Sequence, residues 1–480
     1  MAKPFSSVRS AAIDGRACNP YYRKTQLKKL HDKLVDNTIE IQSAIKQDTG
    51  YRPAEIHAEY WLALQCLADS YNSVDTARDL DAEYAIANQK DAPNAREPVG
   101  IVLIEPATHA FVFSLISALG PALAAGNCVI VRAEQTMLQT PRLVLGLIEE
   151  ALDRDLIQVT NAKEISDADI NHRHVRVLQN GSPSVPLASH LVSRPDARVV
   201  ALVERDANVH TAAELLVGAR FGLRGKSPYA PDLVLVNEWV VEDFLAAVAQ
   251  CSARLITNTN GPVPVAGTRM TDRFADNVSE KGLGRIVTSG TGGTVLELTD
   301  RASALAHPKL RERSLVVHAV SSVDDAINVS NSLGRLAAAY VFTTQPGAAK
   351  YICQFLDSGV SFVNQLPTSL LFSPVAPEQK AIDLDSLSPY DPVLFTSPKP
   401  QYISTLRWSW LLDGVLLEPS AAQVAKIERE ATVRLPEVQR LKKGHDVGFF
   451  DQGIITGGIL VLSTLVTCAG FLVYYTRVRL

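Results

Sequence analysis

Short, almost wholly apolar runs alternate with longer helical stretches along most of this chain, and this alternation limits the folds open to it. The runs are rich in Val, Ile and Leu. Strands that are apolar on both faces are typical of a parallel sheet covered by helices on each side. We therefore predict an α/β fold. The predicted strands are 99–104, 129–131, 175–178, 199–203, 233–236, 315–320 and 337–341, and helices are predicted at 110–125 and 140–153.

The run of residues 453–475 contains no charged side chain. At about 1.5 Å per residue, a helix of this length spans about 35 Å, enough for a hydrocarbon layer of about 30 Å. Tyr474 and Tyr475 lie where an interfacial aromatic belt forms. We predict a single-pass transmembrane helix, inserted after synthesis, with the bulk of the chain facing the cytosol. A buried core helix is the alternative, although core helices rarely stay apolar on every face for so long.

Charge and cysteine content exclude several other classes of partner. The 47 basic and 51 acidic residues are spread along the chain, so no basic footprint for nucleic acid is present. The six cysteines lie far apart, and none stands in a CxxC pair or beside a metal-spaced histidine. We expect neither disulfides nor a metal site, as is usual in a reducing compartment. The N-terminus shows no apolar signal-peptide core, which agrees with a cytosolic bulk.

Two motifs carry a resemblance to a known family. The stretch REPVGIVLIEPATHAFVFSLISALGPALAAGNCVIVR, Arg96 to Arg132, resembles the aldehyde dehydrogenase superfamily. The stretch YAPDLVLVNEWV, Tyr229 to Val240, is similar to the segment that follows the family's nucleophile. The branch it resembles most is that of the class 3 fatty aldehyde dehydrogenases, whose members also include proteins with a C-terminal membrane anchor.

The resemblance implies a division into domains. We expect a Rossmann-type cofactor domain at 1–203, with a projecting dimerisation arm near 85–98, and an α/β catalytic-type domain at 204–395. A Pro-containing return segment and juxtamembrane region, 396–450, then leads to the transmembrane helix.

The resemblance also implies a cysteine nucleophile, an amide that holds the oxyanion and a glutamate base, for the NAD(P)-dependent oxidation of an aldehyde to an acid. Here GKSP stands where the family has Gly-Gln-Thr-Cys, so Pro228 occupies the nucleophile position and supplies no nucleophile. Ser227 and Glu204 are the candidate substitutes for nucleophile and base, although Glu204 also suits a solvated charge at a strand end. His109 stands at the position of the oxyanion amide, or is simply a partly exposed polar residue.

The cofactor motifs have changed as well. In RAEQ, Arg132 keeps the positive charge of the family's Lys-Pro-Ser-Glu, and Gln135 keeps a polar group. Gly181 and Ser182 remain from the turn that would hold the pyrophosphate. An ungapped count places Lys309 where the family's glutamate holds the nicotinamide ribose, although Glu312 is close by in the sequence. We expect NAD or NADP if a cofactor binds, and otherwise none.

Because several catalytic and cofactor positions have changed together, we expect a membrane-anchored aldehyde dehydrogenase-like protein that is impaired or silent in the thiol-based reaction. Such a pseudoenzyme would act as an accessory or binding protein. The alternative is an active NAD(P)-dependent oxidoreductase that converts fatty aldehydes to carboxylic acids. Expected partners are the lipid bilayer through 453–475, a second copy or a paralogue in a dimer, and a long-chain aldehyde. We expect the endoplasmic reticulum membrane, with the mitochondrial outer membrane or the peroxisome as alternatives.

Overall fold

The computed structural model describes residues 4–181, 187–257, 282–290, 292–306, 309–378, 380–438 and 449–478. The helices in these ranges are α1 (Ser6–Asp14), α2 (Pro20–Asp36), α3 (Thr38–Thr49), α4 (Pro53–Ser73), α5 (Thr76–Glu83), α6 (Phe111–Ala124), α7 (Gln139–Ala151), α8 (Asp167–Ile170), α9 (Val209–Phe221), α10 (Val241–Thr257), α11 (Arg301–Ala306), α12 (Val323–Ser332), α13 (Pro346–Phe355), α14 (Thr368–Phe372), α15 (Ser409–Leu412), α16 (Ala421–Ala431) and α17 (Phe449–Val478). The strands are β1 (Arg96–Pro98), β2 (Ile101–Glu105), β3 (Cys128–Arg132), β4 (Ile157–Thr160), β5 (His174–Leu178), β6 (His190–Val192), β7 (Val199–Val203), β8 (Leu233–Asn237), β9 (Gly284–Gly290), β10 (Gly293–Leu298), β11 (Ser314–Val320), β12 (Ala338–Phe342), β13 (Ser361–Val363) and β14 (Thr396–Pro398).

The first sheet has five parallel strands in the order β4-β3-β2-β5-β6. Its central strand, β2, buries Ile101 to Ile104 completely, which is why the sequence reads as a continuous apolar run. Helix α6 returns the chain from β2 to β3 and is itself buried along almost its whole length. The predicted α/β fold is confirmed.

The second sheet has seven strands in the order β13-β12-β7-β8-β11-β10-β9. Only β9 runs antiparallel to its neighbour, β10, within the described residues. Strand β7 lies in this sheet, pairing with β8 and β12. The chain therefore enters the second sheet at Val199, just before the division predicted at residue 204.

The two faces of strand β7 pack into two different hydrophobic clusters. Val199, Ala201 and Val203 face the larger cluster, which continues into the first sheet and its helices. Val200 and Leu202 face a second cluster on the other side of the sheet. This strand is therefore covered on both faces, as its apolar run predicts.

The segment predicted as a projecting arm forms half of a two-stranded ribbon. Strand β1 pairs antiparallel with β14, and a further bridge joins Ala92 to Gln401. On this ribbon Glu97 accepts hydrogen bonds from Arg173 at 2.8 Å and from Lys399 at 2.5 Å. The ribbon thus ties the return segment to the first sheet.

The described chain ends in α17, whose part Asp451–Tyr475 is long and apolar enough to cross a membrane and has no buried residue. The preceding segment exposes large apolar side chains, among them Trp408 and Trp410, which are 50% and 55% exposed. Arg407 and Lys426 lie over the rings of these two tryptophans.

Candidate functional site

A cleft of about 590 Å³ opens between the two sheets. Strands β2, β3 and β5 end beside it, at Glu105, Arg132 and just before Gln179. Ligands of open α/β sheets bind outside the carboxyl ends of parallel strands, so this is the position where a ligand site is expected. The second sheet contributes the opposite wall, which includes Ser227, Pro228 and Lys309.

A strained turn carries the chain from α9 to this wall. Leu223, Arg224 and Gly225 all adopt left-handed backbone conformations, with φ of 48°, 54° and 72°. A Cβ atom on Gly225 would lie 2.3 Å from the carbonyl carbon of Glu312. Only glycine fits there, so the path of the chain into residues 226–228 depends on this one residue.

Pro228 lines the cleft, and its carbonyl oxygen accepts a hydrogen bond from Lys309 Nζ at 2.6 Å. Neither the proline ring nor this engaged carbonyl offers a nucleophile to the cleft. Ser227 is almost wholly buried, and its Oγ accepts the backbone N–H of Tyr229 at 3.2 Å. No base is bonded to Ser227 Oγ among the described residues, so nothing there activates it.

Lys309 belongs to a buried cluster of three charged side chains. Its Nζ donates to Asp232 Oδ2 at 2.9 Å, and Arg220 donates to Asp232 Oδ1 at 2.9 Å. The side chains of Arg220, Asp232 and Lys309 are 0%, 1% and 7% exposed. Burial lowers the pKa of Lys309, and the carboxylate of Asp232 opposes that effect. The cluster fixes the lysine under the backbone of Pro228.

His109 lies two residues before α6, where its ring faces the cleft. Its Nε2 lies 2.8 Å from the carbonyl oxygen of Leu371, which can only accept, so Nε2 carries the hydrogen. Burial, with a smaller effect of Lys226, lowers the pKa of His109 to about 4. The ring is therefore neutral near pH 7, and Nδ1 presents a lone pair. An oxyanion requires donors, which this nitrogen does not supply.

Glu204 is placed away from the residues just described. It follows β7, its backbone N–H donates to Phe342, and its Oε2 accepts the N–H of Arg205 at 3.3 Å. Burial raises the pKa of its carboxyl group. It is not part of the described lining of the cleft.

The family model named Aldehyde dehydrogenase family matches residues 5–374. The chain belongs to the aldehyde dehydrogenase family. Among its relatives, Aldehyde dehydrogenase family 3 member B1 of Rattus norvegicus is 23% identical over 440 residues, which cover 84% of this chain and 92% of that protein. The Homo sapiens protein of the same name gives the same identity and coverage. The 4,4'-diaponeurosporen-aldehyde dehydrogenase of Staphylococcus aureus is 26% identical over 244 residues, covering 48% of this chain and 53% of that protein.

Solved aldehyde dehydrogenase structures share the fold. The substrate-bound AldH of Staphylococcus aureus superposes with a TM-score of 0.69 at 19% identity, covering 89% of this chain and 98% of that chain. An indole-3-acetaldehyde dehydrogenase complexed with NAD+ gives a TM-score of 0.65 at 19% identity, covering 84% and 88%. At these identities the likeness shows the architecture of the aldehyde dehydrogenase fold and no more.

Some of the residues at the positions where the family binds the adenosine end of its cofactor are suited to that role. Arg132, at the end of β3, forms an ion pair with Glu105 and donates to the carbonyl of Lys163 at 2.9 Å, while its Nε is buried without a partner among the described residues. Gly181, in a left-handed conformation at φ 87°, lies three residues after β5 and is not in the described lining of the cleft. Gln135 is exposed and outside the described lining, and Ser182 lies outside the described residues. An adenosine group finds one unpaired donor here.

The nicotinamide end is not matched. An aldehyde dehydrogenase carboxylate would be expected to hold the nicotinamide ribose, and the position that the resemblance gives it holds Lys309, already paired with Asp232. An ammonium group engaged in this way accepts no hydrogen bond from a ribose hydroxyl. The residue at this position therefore does not fit the family's way of holding the nicotinamide ribose. Glu312, three residues later, accepts a hydrogen bond from Ser314 Oγ at 3.3 Å and is not in the described lining of the cleft.

Two features of the cleft escaped prediction from the sequence. The Arg220–Asp232–Lys309 cluster joins residues far apart in the chain; its signal was Asp232 in the Ala-Pro-Asp stretch that follows Pro228. Glu59, which is 1% exposed, reaches the cleft from α4. A lone glutamate in an amphipathic helix carries no signal, because such residues are normally solvated.

Proposed function

We propose that this aldehyde dehydrogenase family member is a membrane-anchored accessory or binding protein that does not run the thiol-based oxidation of aldehydes. The observation that carries the proposal is the hydrogen bond from Lys309 Nζ to the carbonyl of Pro228. The position given to the nucleophile has no reactive atom, and a buried charge cluster holds its backbone. Removing a nucleophile alone costs about a million-fold in turnover.

The membrane part of the proposal rests on α17 and on what precedes it. The segment Asp451–Tyr475 is suited to span a bilayer, and Trp408 and Trp410 expose rings of the kind found at membrane interfaces. We infer a single-pass anchor with the bulk in the cytosol, at the endoplasmic reticulum in preference to the mitochondrial outer membrane or the peroxisome. The ribbon of β1 and β14 is the proposed contact with a second copy or a paralogue.

An active NAD(P)-dependent enzyme acting on fatty aldehydes is the second candidate. It is favoured by one observation, the open cleft at the carboxyl ends of β2, β3 and β5. In that case Ser227 or Glu204 would have to serve as nucleophile or base.

The two candidates are separated by assaying the full chain in lipid nanodiscs with NAD or NADP and aldehydes from hexanal to octadecanal. We expect no reduction of either cofactor above the rate of empty nanodiscs. Turnover that Ser227→Ala or Glu204→Ala abolishes would establish the second candidate. A catalytically competent family member in the same nanodiscs shows that the assay detects turnover.

A further inference from the structure

Four buried polar atoms of the cleft lining lack partners among the described residues: Glu59 Oε2, His109 Nδ1, Thr140 Oγ1 and Arg132 Nε. Of these, Glu59 Oε2 and His109 Nδ1 are acceptors of hydrogen bonds. Both side chains line the cleft. Both also lie at the start of α6, because Glu59 Oε1 accepts the backbone N–H of Val112 at 3.1 Å and His109 precedes Phe111, the first helical residue, by two positions. Both side chains therefore belong to the short segment 109–112 and its direct contacts, beside the cleft.

Both atoms are acceptors of hydrogen bonds. The Nε2–H of His109 is committed to Leu371, which leaves a lone pair on Nδ1. Glu59 holds the Val112 N–H with one oxygen, so an ionised carboxylate leaves the other oxygen free to accept. Buried polar groups without partners are rare in folded proteins, and a pair of them in one cleft indicates that a ligand with donors belongs there.

The surroundings add charge and apolar surface. The described lining contains five carboxylates against four cationic side chains: Asp48, Glu59, Glu105, Glu134 and Asp196 against Arg132, Lys226, Lys309 and Arg311. Three of the four cations are already paired, Arg132 with Glu105, Lys309 with Asp232, and Arg311 with Asp196. Ile45, Tyr51 and Phe111 supply apolar surface to the same cleft.

We propose that this region is a subsite for a ligand with a primary ammonium group and an alkyl tail, the ammonium donating to Glu59 Oε2 and His109 Nδ1. The inference rests on the proposed binding function and names the chemical class that the cleft accepts. An ammonium group has three donors and a charge opposite to that of Glu59. An aldehyde has only an accepting oxygen, which would face two further acceptors.

The positive end of α6 does not oppose this assignment. The carboxylate of Glu59 already accepts the N–H of Val112 in the first turn of the helix, so it compensates the helix terminus before a ligand arrives. Lys226 is the cation in the lining whose charge reaches His109. Its positive charge should weaken the binding of an ammonium group. Removing Lys226 should therefore raise the affinity, whereas removing the charge of Glu59 should lower it.

The test titrates the full chain in nanodiscs with hexylamine, 1-hexanol and hexanal by calorimetry at about pH 8, with empty nanodiscs subtracted; at that pH the amine stays charged. We expect hexylamine to bind at least about tenfold more tightly than 1-hexanol, and hexanal to bind most weakly. Glu59→Gln should reduce hexylamine affinity by about tenfold or more while leaving that of 1-hexanol nearly unchanged. Lys226→Met should tighten hexylamine binding.

Asp196→Asn is the matched control, a cleft carboxylate that is exposed and pairs with Arg311. It should change hexylamine affinity less than about twofold. Equal affinities for amine and alcohol, or equal effects of Glu59→Gln and Asp196→Asn, would overturn the proposal. So would the absence of hexylamine binding to a chain whose 1-hexanol binding and thermal unfolding are intact. Aldehyde turnover would refute the silent function without changing these affinities, so the two failures are distinguishable.

Discussion

Single residues decide what the cleft can do. His109 and Glu59 are both buried at the start of α6, and burial shifts their pKa values in opposite directions, to about 4 and about 7. Burial disfavours the charged form in each case, which is the imidazolium of the histidine and the carboxylate of the glutamate. Both shifts make the stability of the fold depend on pH.

The pKa of Glu59 predicts a loss of stability as pH rises. Its carboxyl binds its proton up to about pH 7 in the folded state but only to about pH 4.5 when unfolded. The folded state therefore loses about 3 kcal/mol between these values and no more above them. We expect the difference in unfolding free energy between the wild type and Glu59→Gln to fall by this amount from about pH 4 to about pH 8.

Urea unfolding of both proteins in detergent, at several pH values, measures this difference. His109 acts with the opposite sign, because its lowered pKa adds stability as pH rises from about 4 to 6.5. Both proteins contain His109, so its contribution cancels when the unfolding free energy of Glu59→Gln is subtracted from that of the wild type. Parallel curves would show that Glu59 ionises normally.

The buried cluster predicts unequal losses at its members. Asp232→Ala should cost about 3–5 kcal/mol, because Arg220 and Lys309 are then buried without a counter-charge. Lys309→Met should cost clearly less, since Arg220 still pairs with Asp232. Thermal unfolding ranks the variants, with Arg311→Met as an exposed control expected to change stability by less than about 1 kcal/mol. A Lys309 variant as damaged as Asp232→Ala would contradict the order.

At the scale of elements, the apolar runs placed most of the core strands to within a few residues. Strand β7 occupies exactly the predicted residues 199–203, and β2, β3, β5 and β8 differ from their predictions only at the ends. Local pattern is sufficient here because these strands are apolar on both faces. The ribbon of β1 and β14 was not predictable in this way, because its partners stand about 300 residues apart and each contains proline.

The site was predictable to a different degree. Motif positions led to Ser227, Pro228, His109 and Lys309, which the structure brings to one cleft. The same reasoning led to Glu204, which does not reach it within the described lining. A residue that follows a strand can point in several directions, depending on the path of the next loop. The sequence does not give that path, so the orientation of Glu204 had to come from the structure.

The turn before Pro228 predicts a sharp contrast between two glycines. Gly225→Ala should destabilise the fold by several kcal/mol, because its Cβ would overlap the backbone of Glu312 at a left-handed φ. Gly218→Ala, inside α9 with open space around it, should stabilise by about 0.5–1 kcal/mol. Thermal unfolding of the two variants distinguishes them; equal effects would mean that the turn is not constrained.

At the scale of the whole molecule, one helix differs from the rest in its exposure. Every residue of Asp451–Tyr475 is exposed, whereas the apolar helix α6 is buried in the core. So long an exposed apolar surface is what a helix that crosses a bilayer presents. Under the proposed function this candidate span attaches the cleft domain to a membrane.

If the C-terminal helix is the membrane anchor, chains with and without it should be found in different cell fractions. The full chain should stay in the membrane fraction after alkaline carbonate extraction, and a chain lacking residues 449–480 should move to the soluble fraction. A variant with Leu465→Arg, near the middle of the helix, should insert poorly, because a central arginine costs about 2.5–3.5 kcal/mol on insertion. Retention of the shortened chain in the membrane would show that another surface carries the attachment.

The bond between Lys309 and the carbonyl of Pro228 also has a consequence for substitutions at these two positions. A cysteine restored at position 228 alone would sit on a backbone still tethered by an ammonium group. A glutamate restored at position 309 alone would face Asp232 in the same buried space, where two like charges repel. The two positions are thus physically coupled: a side chain placed at one meets the group that the other leaves in the same buried space.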